Sequence, residues 1–358
     1  MAKSKFLPDG RLSDFVAGIG ATRAFVNALV DDTPLWKRFE GLEPDQINAA
    51  LRRERPINPF KSLLLPAREL VARYGSGSEE DPLEAIRDMT IAVVGVRGCE
   101  CRALSYLDEV MYADPVPEPF YKVRRENLTV VSVDCAQPCE TCFCDLLGAQ
   151  PYAEDNFDLN LSPVDGGFVV ESGSERGDEL LESLQSCLKD ASEAQTDEKE
   201  KVREEAIEKL AEQNSEYNIP EEVQESLPQS MDGEFWRSEL GRCVQCGGCT
   251  AVCPTCYCFL LSDRQAGENN YERTRVWDSC QFTGYSVMAG PPGGQGPDPR
   301  RSHMSKFQHR FAHKFWYDPT NWEMIGCVGC GRCAQTCPGE IDLRRVLSEV
   351  NKELAENG

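Results

Sequence analysis

"CVQCGGCTAVCP", residues 243–254, and "CVGCGRCAQTCP", residues 327–338, share the spacing Cys-x-x-Cys-x-x-Cys-x-x-x-Cys-Pro. In two-cluster ferredoxins the first three cysteines of such a run hold one cube, and the fourth reaches across to the other. On that pattern Cys243, Cys246, Cys249 and Cys337 hold one 4Fe–4S cluster, and Cys327, Cys330, Cys333 and Cys253 hold a second. Iron takes soft thiolate donors, and short spacings let one loop wrap three corners of a cube. Glycines at 247, 248, 329 and 331 let backbone N–H groups approach sulfide. Pro254 and Pro338 stop each loop from continuing as a regular hydrogen-bonded turn. Paired structural zinc sites are the competing reading. They use separated Cys-x-x-Cys pairs, whereas this chain has a four-cysteine run ending in proline, twice.

More than seventy residues separate the two runs. Stretches at 261–273 and 304–316 read as helical and suggest an α-helical ferredoxin arrangement. The terminal "IDLRRVLSEVNKEL" spaces Leu343, Val346, Leu347, Val350 and Leu354 as one helix face.

The remaining composition narrows the chemistry. A chain of 358 residues has room for two domains. Its 18 cysteines come without an export signal, which points to metal ligation rather than disulfides. Only His303, His309 and His313 are present, so imidazole-based zinc sites and Cys/His or Ser/His catalysis have little material. His309 and His313 share a helix face with no carboxylate in register, and they read as helix surface or domain contact. The balance of 38 Lys+Arg against 60 Asp+Glu, a net charge of −22, excludes phosphate-binding surfaces typical of nucleic-acid partners. The first twenty residues have no continuous apolar core and no twin arginines. Apolar runs such as "IAVVGV" are strand-sized. These features predict a cytoplasmic protein without a membrane span.

The fold class expected is α+β and multidomain. An α/β domain occupies 1–185, a charged helical connector 186–235, and an α-helical ferredoxin dicluster domain 236–358. "IAVVGV" (91–96) and "LTVVSV" (128–133) are short, β-branched runs that predict buried strands, with a helix over 102–111 between them. "GFVVES" adds another strand. Leu180, Leu181, Leu184, Cys187 and Leu188 make one apolar stripe, so Cys187 reads as a core thiol. Val202, Ile207 and Leu210 make a second stripe in a mostly charged, solvated helix. Residues 288–307, rich in glycine and proline, predict an irregular loop without a phosphate-loop pattern.

A second set of six cysteines lies in the α/β region: Cys99, Cys101, Cys135, Cys139, Cys142 and Cys144. Loops that follow adjacent parallel strands gather on one sheet edge, so these thiols converge. Four would hold a further 4Fe–4S cluster. Cys139-x-x-Cys142 also has the spacing of a redox dithiol, and both readings stand. Cys256, Cys258 and Cys280 read as packing or cluster-tuning thiols, because no fourth cysteine is left to complete a ligand set. No flavin or nicotinamide fingerprint is present: "GVRGCE" is not followed by the glycines it needs.

The motifs "GVRGCECRAL", "FYKVRREN", "CFCDLLGAQP", "FDLNLSPV", "CPTCYCF", "RVWDSCQF" and "HKF" occur in one order with the two cysteine runs. Together they resemble the iron–sulfur β subunits of cytosolic NAD(P)-linked NiFe hydrogenases, the sulfhydrogenases. The family includes the A subunit of anaerobic sulfite reductase and subunits beside heterodisulfide-reductase modules. "RPINPFKSLLLPAREL" (55–70) looks like its N-terminal segment, and the resemblance covers most of 55–345. It implies Cys99, Cys135, Cys142 and Cys144 as ligands of the third cluster. Cys101, Cys139 and Gly98 in place of proline depart from the family pattern. The resemblance further implies a non-catalytic electron-transfer subunit of a hetero-oligomer. Its partners would be a flavoprotein (FAD, NAD(P)H) and a catalytic NiFe hydrogenase subunit, or their counterparts in a sulfite- or heterodisulfide-reducing complex. A self-contained enzyme using the six N-terminal cysteines is the third reading.

Overall fold

The computed structural model describes residues 4–75, 81–291, 294 and 296–357. The chain forms two compact units, Met1–Leu65 with Glu79–Gln213 and Pro66–Ser78 with Asn214–Gly358. Its strands are β1 (Lys5–Pro8), β2 (Arg23–Val30), β3 (Thr33–Arg38), β4 (Arg68–Gly75), β5 (Ile91–Val96) and β6 (Leu128–Val133). They continue with β7 (Leu159–Val164), β8 (Gly167–Ser172), β9 (Lys189–Asp190), β10 (Phe259–Gly267) and β11 (Asn270–Trp277).

In the first unit eight strands form one sheet in the order β3-β2-β5-β6-β7-β8-β1-β9. The central neighbours β2, β5, β6 and β7 run parallel, and the outer pairs are antiparallel. Parallel strands are covered on both faces, which is why "IAVVGV" has no polar alternation; every residue of β5 is buried. Leu7, Phe15, Val94, Val131, Leu161 and Phe168 belong to the main core, and Cys187 is packed into it. β5 carries a bulge at Gly95. Its φ is +102°, and a Cβ there would lie 2.5 Å from Leu51 and 3.0 Å from Asn27.

Helix Glu193–Asn214 differs from the solvated connector expected over 186–235. Lys199, Ala206 and Leu210 are buried, Lys199 pairs with Glu171 and Arg203 with Asp134. The buried face is thus 199, 206 and 210, with half-buried Arg203 beside it. Ile207, expected on the apolar stripe, is exposed. The charged composition concealed this face, and the first unit extends to Gln213 rather than 185.

The second unit is not wholly helical. The expected helix over 261–273 is instead the β10–β11 hairpin, to which β4 adds an edge strand. Asn269 turns the hairpin with φ +58°, a left-handed conformation that asparagine tolerates. Arg273–Asp263 and Arg264–Glu272 bridge the strands, and Tyr74 stacks on Tyr271 with centroids 5.5 Å apart. The helical reading of 304–316 stands: helix His303–Ala312 starts where Ser302 accepts from the Ser305 N–H. It then runs into a π-helical turn, His313–Tyr317. Buried Trp236 packs edge-on against Phe307 and Phe311. Helix Leu343–Asn357 buries Leu343, Val346, Leu347 and Val350. Of the irregular loop expected over 288–307, the described residues of 288–302 have neither helix nor strand, but 303–307 open helix His303–Ala312 instead; 292, 293 and 295 lie outside the described residues. Among the described residues no helix is long and apolar enough to cross a membrane.

Candidate metal centres

The two C-terminal runs adopt one backbone twice. Gln245 and Gly329 take φ of +53° and +64°, and Gly247 and Gly331 take +70° and +66°. Each left-handed glycine caps a short helix, Gly248–Ala251 in one run and Arg332–Thr336 in the other. These helices pack against each other. Gly247 is also sterically required, since a Cβ would lie 2.5 Å from the Phe282 ring.

Cys243, Cys246, Cys249 and Cys337 line one cavity, with Cys333 and Arg310 also on its wall. The fourth cysteine of the second run therefore faces the first run. Reciprocally, Cys253 is an electrostatic neighbour of both Cys327 and Cys333. Burial pushes Cys327 up to about 12, against the pull of Lys314, and Cys333 up to about 11, against Arg310. Cys246 is exposed, whereas Cys253, Cys327, Cys330 and Cys333 are all buried. The first set is thus nearer the surface. The thiols ring a cavity rather than meeting at a point: among the described residues no three His, Cys, Asp or Glu side chains converge as ligands of a single ion. An all-sulfur donor set around an enclosed space, with a buried guanidinium beside it, fits a 4Fe–4S cube.

Residues that sequence reasoning overlooked surround these thiols. Lys306, Arg310 and Lys314 recur every four residues and are all buried. The Lys314 ammonium donates to Thr255 Oγ1 at 2.8 Å and to the Gly326 carbonyl at 2.6 Å. Thr255 Oγ1 in turn lies 3.2 Å from Cys253 Sγ. The visible signal was a cation in every turn of an otherwise aromatic stripe, "KFQHRFAHKF".

The histidines of this helix are not a simple surface pair. Burial lowers His309 and His313 to about 4, reinforced by the positive charge of Arg300 on both and of Lys314 on His313. A carboxylate does approach, with His313 Nε2 3.5 Å from Asp318 Oδ1. It comes from beyond the π-turn, outside simple helical register.

Of the three surplus cysteines, the thiols of Cys258 and Cys280 hydrogen-bond to each other, and Tyr285 also bonds Cys258. Asp278 N–H donates to the Cys258 carbonyl at 3.0 Å, closing the base of the hairpin. The bond from Cys280 holds the Cys258 thiol below the ordinary cysteine value against burial. Gln281 Nε2 donates to Cys280 Sγ at 3.4 Å.

In the first unit the parallel pairing of β5 with β6 brings the expected loops to one edge. Cys139, Cys142 and Cys144 cluster with Leu210 and Ala149. Cys135 and Cys142 are electrostatic neighbours of Cys144, and Cys139 hydrogen-bonds Cys142. Gln213 Nε2 clamps the loop by donating to the carbonyls of Cys139 and Cys142 at 3.1 and 2.7 Å. Cys99 and Cys101 occupy the first turn of helix Gly98–Met111, with Cys101 buried and beside Cys135. Cys139, outside the ligand set implied by resemblance, thus joins Cys135, Cys142 and Cys144. A Cβ at Gly98 would lie 2.4 Å from the Tyr152 carbonyl oxygen, so this position suits glycine.

Arg97 is fully buried and donates to the carbonyls of Asp134, Ala50, Leu51 and Arg53 at 2.7–3.1 Å. Burial pushes Cys135 up to about 11 while Arg97 pulls it down. Beneath the site, Asp134 accepts from Ser162 Oγ at 2.6 Å, Asn160 Nδ2 at 2.9 Å and Arg203 Nε at 2.8 Å.

Comparison with known proteins bears on both regions. Residues 242–341 match the 4Fe–4S dicluster domain family. The chain is 31% identical over 300 residues to the sulfhydrogenase 2 β subunit of Pyrococcus furiosus, covering 84% of this chain and 85% of that one. No solved structure matches.

Proposed function

The chain belongs to the family of sulfhydrogenase β subunits and is an iron–sulfur electron-transfer subunit; from that premise we propose that it carries electrons between a flavoprotein subunit handling NAD(P)H and a NiFe hydrogenase catalytic subunit. The observation that carries this reading is the reciprocal facing of the two runs. Cys337 lines the cavity of Cys243, Cys246 and Cys249, and Cys253 neighbours Cys327 and Cys333. In this reading those eight cysteines hold two 4Fe–4S clusters, and Cys99, Cys135, Cys142 and Cys144 hold a third. When bound, such clusters supply one-electron transfer at potentials of roughly −700 to +450 mV, set by their surroundings. The protein's own residues hold the cubes, exclude water from the inner set, and leave Cys246 at the surface. The subunit is non-catalytic, cytoplasmic and part of a hetero-oligomer.

Anaerobic purification of the native complex through a tag on this chain tests the assignment. Nickel and FAD in fixed ratio to the chain, with hydrogen-dependent NAD(P) reduction, are the expected result. Sirohaem with sulfite reduction would replace the hydrogenase partner. Reduction of a sulfur substrate by the isolated chain would overturn the conduit role itself.

A further inference from the structure

The cationic stripe of helix His303–Ala312 and its π-turn divides its charge unequally between the two cysteine sets. Arg310 is 6% exposed, and its Nε and Nη2 atoms have no hydrogen-bond partner. Among the described residues no carboxylate pairs with it. Its electrostatic neighbours include four thiols, Cys249 first, then Cys333, Cys256 and Cys253, and the Lys314 ammonium. Cys249 belongs to the first ligand set, Cys333 and Cys253 to the second, and Arg310 also lines the first cavity. A buried guanidinium with unmet donors is strongly destabilising unless negative charge is placed beside it. In the two-cluster reading, the thiolate ligands of both sets would supply that charge.

Lys314 is placed differently. It is 3% exposed, is tied through Thr255 to Cys253, and has Cys253, Cys256 and Cys327 as its neighbouring thiols. Unlike Arg310, it is not on the wall of the cavity lined by Cys243, Cys246, Cys249 and Cys337. The four-residue spacing would keep both side chains on one helix face, and the π-turn that begins at His313 changes the geometry between them. Such turns are frequent where a helix serves a site.

We propose that Arg310 is a fixed positive charge shared by both clusters, whereas Lys314 serves only the cluster held by Cys327, Cys330, Cys333 and Cys253, so that the pair sets the potential difference between them. The inference rests on the two-cluster reading above. Reduction adds one negative charge to a cube, so a nearby buried cation stabilises the reduced form and raises its potential. Burial keeps this interaction largely unscreened by salt. Both residues act through the ligands' environment and are positioning residues.

Redox titration of the anaerobic holoprotein followed by EPR tests the division of labour. In Arg310→Met both midpoints fall, in Arg310→Lys they largely recover, and in Lys314→Met a single midpoint falls. None of these shifts depends on ionic strength. Arg310→Met with full iron and unmoved midpoints overturns the proposal, as does Lys314→Met moving both equally. Should Arg310→Met fail to load iron, the Lys314→Met titration decides alone: one shifted midpoint supports the proposal, and none or both refutes it. A wild-type protein whose iron and sulfide content excludes two C-terminal clusters would sink the underlying reading instead.

Discussion

The two thiol regions reach similar cysteine densities by different construction. In the second unit a twelve-residue motif is repeated, and each copy folds locally around its own left-handed glycine. In the first unit the thiols lie on the loop after β6 and on the helix after β5, and only the parallel sheet makes them neighbours. The cations differ as well. Arg97 gives Nη1 and Nη2 to four backbone carbonyls and has only Nε without a partner, while Arg310 has both Nε and Nη2 without one. A repeated local motif brings three thiols together within one loop and takes only the fourth from the other run. A site assembled by topology depends on the whole sheet beneath it.

The largest test of this contrast is the exchange of fourth cysteines. Cys337→Ser should cost about four irons per chain and remove the same EPR component as Cys243→Ser. Cys253→Ser should match Cys327→Ser. Pairing of Cys337→Ser with Cys327→Ser instead would mean that each run holds its own cube.

Next in size is the support beneath the first-unit site. Asp134→Ala leaves Arg203 without its buried partner, and breaking such a pair costs about 3–5 kcal/mol. Chemical denaturation should show the first unit weakened, with the iron signals of the second unit retained. Loss of both together would break the picture of two separately built sites.

The smallest effect concerns the half-buried histidines of the second unit. Their folded values, about 4, lie below the ordinary histidine value. The unfolded chain then binds more protons between about pH 6.5 and 4, and stability falls as pH drops through that window. His309→Gln should flatten this slope, measured as melting temperature against pH. An unchanged slope would show that these rings stay out of the proton balance.

What could be read from the chain follows the same division. The dicluster character of the C-terminal region was legible because its cysteine spacing repeats, and the strands at 91–96 and 128–133 because parallel strands lose polar alternation. The hairpin at 259–277 was misread as helical because β10 is exposed along its whole length and offers no buried alternate face to count. The packing of helix Glu193–Asn214 was hidden because buried Lys199 and half-buried Arg203, which pair with Glu171 and Asp134, read in the sequence as solvated charges. The nearness of Cys139 to Cys142 was legible in their Cys-x-x-Cys spacing, whereas which four of the six thiols act together is not encoded by spacing. Arg310 was missed because a cation in an aromatic stripe resembles a snorkelling surface residue until its burial is known.

The crossing of β4 from one unit's stretch of chain into the other's sheet has a temporal side. Gly75 pairs with Asn270, about two hundred residues downstream, which at ribosomal rates means about 10–40 s of waiting. During synthesis β4 is an unpaired strand while the first unit assembles around the gap it leaves in the sequence. Arg68, Glu69 and Arg73 punctuate it, and charges within a strand discourage pairing with the wrong edge. The three-stranded sheet therefore closes only after the chain beyond the first cysteine run has emerged, so the second unit's order of assembly is fixed by translation as well as by stability.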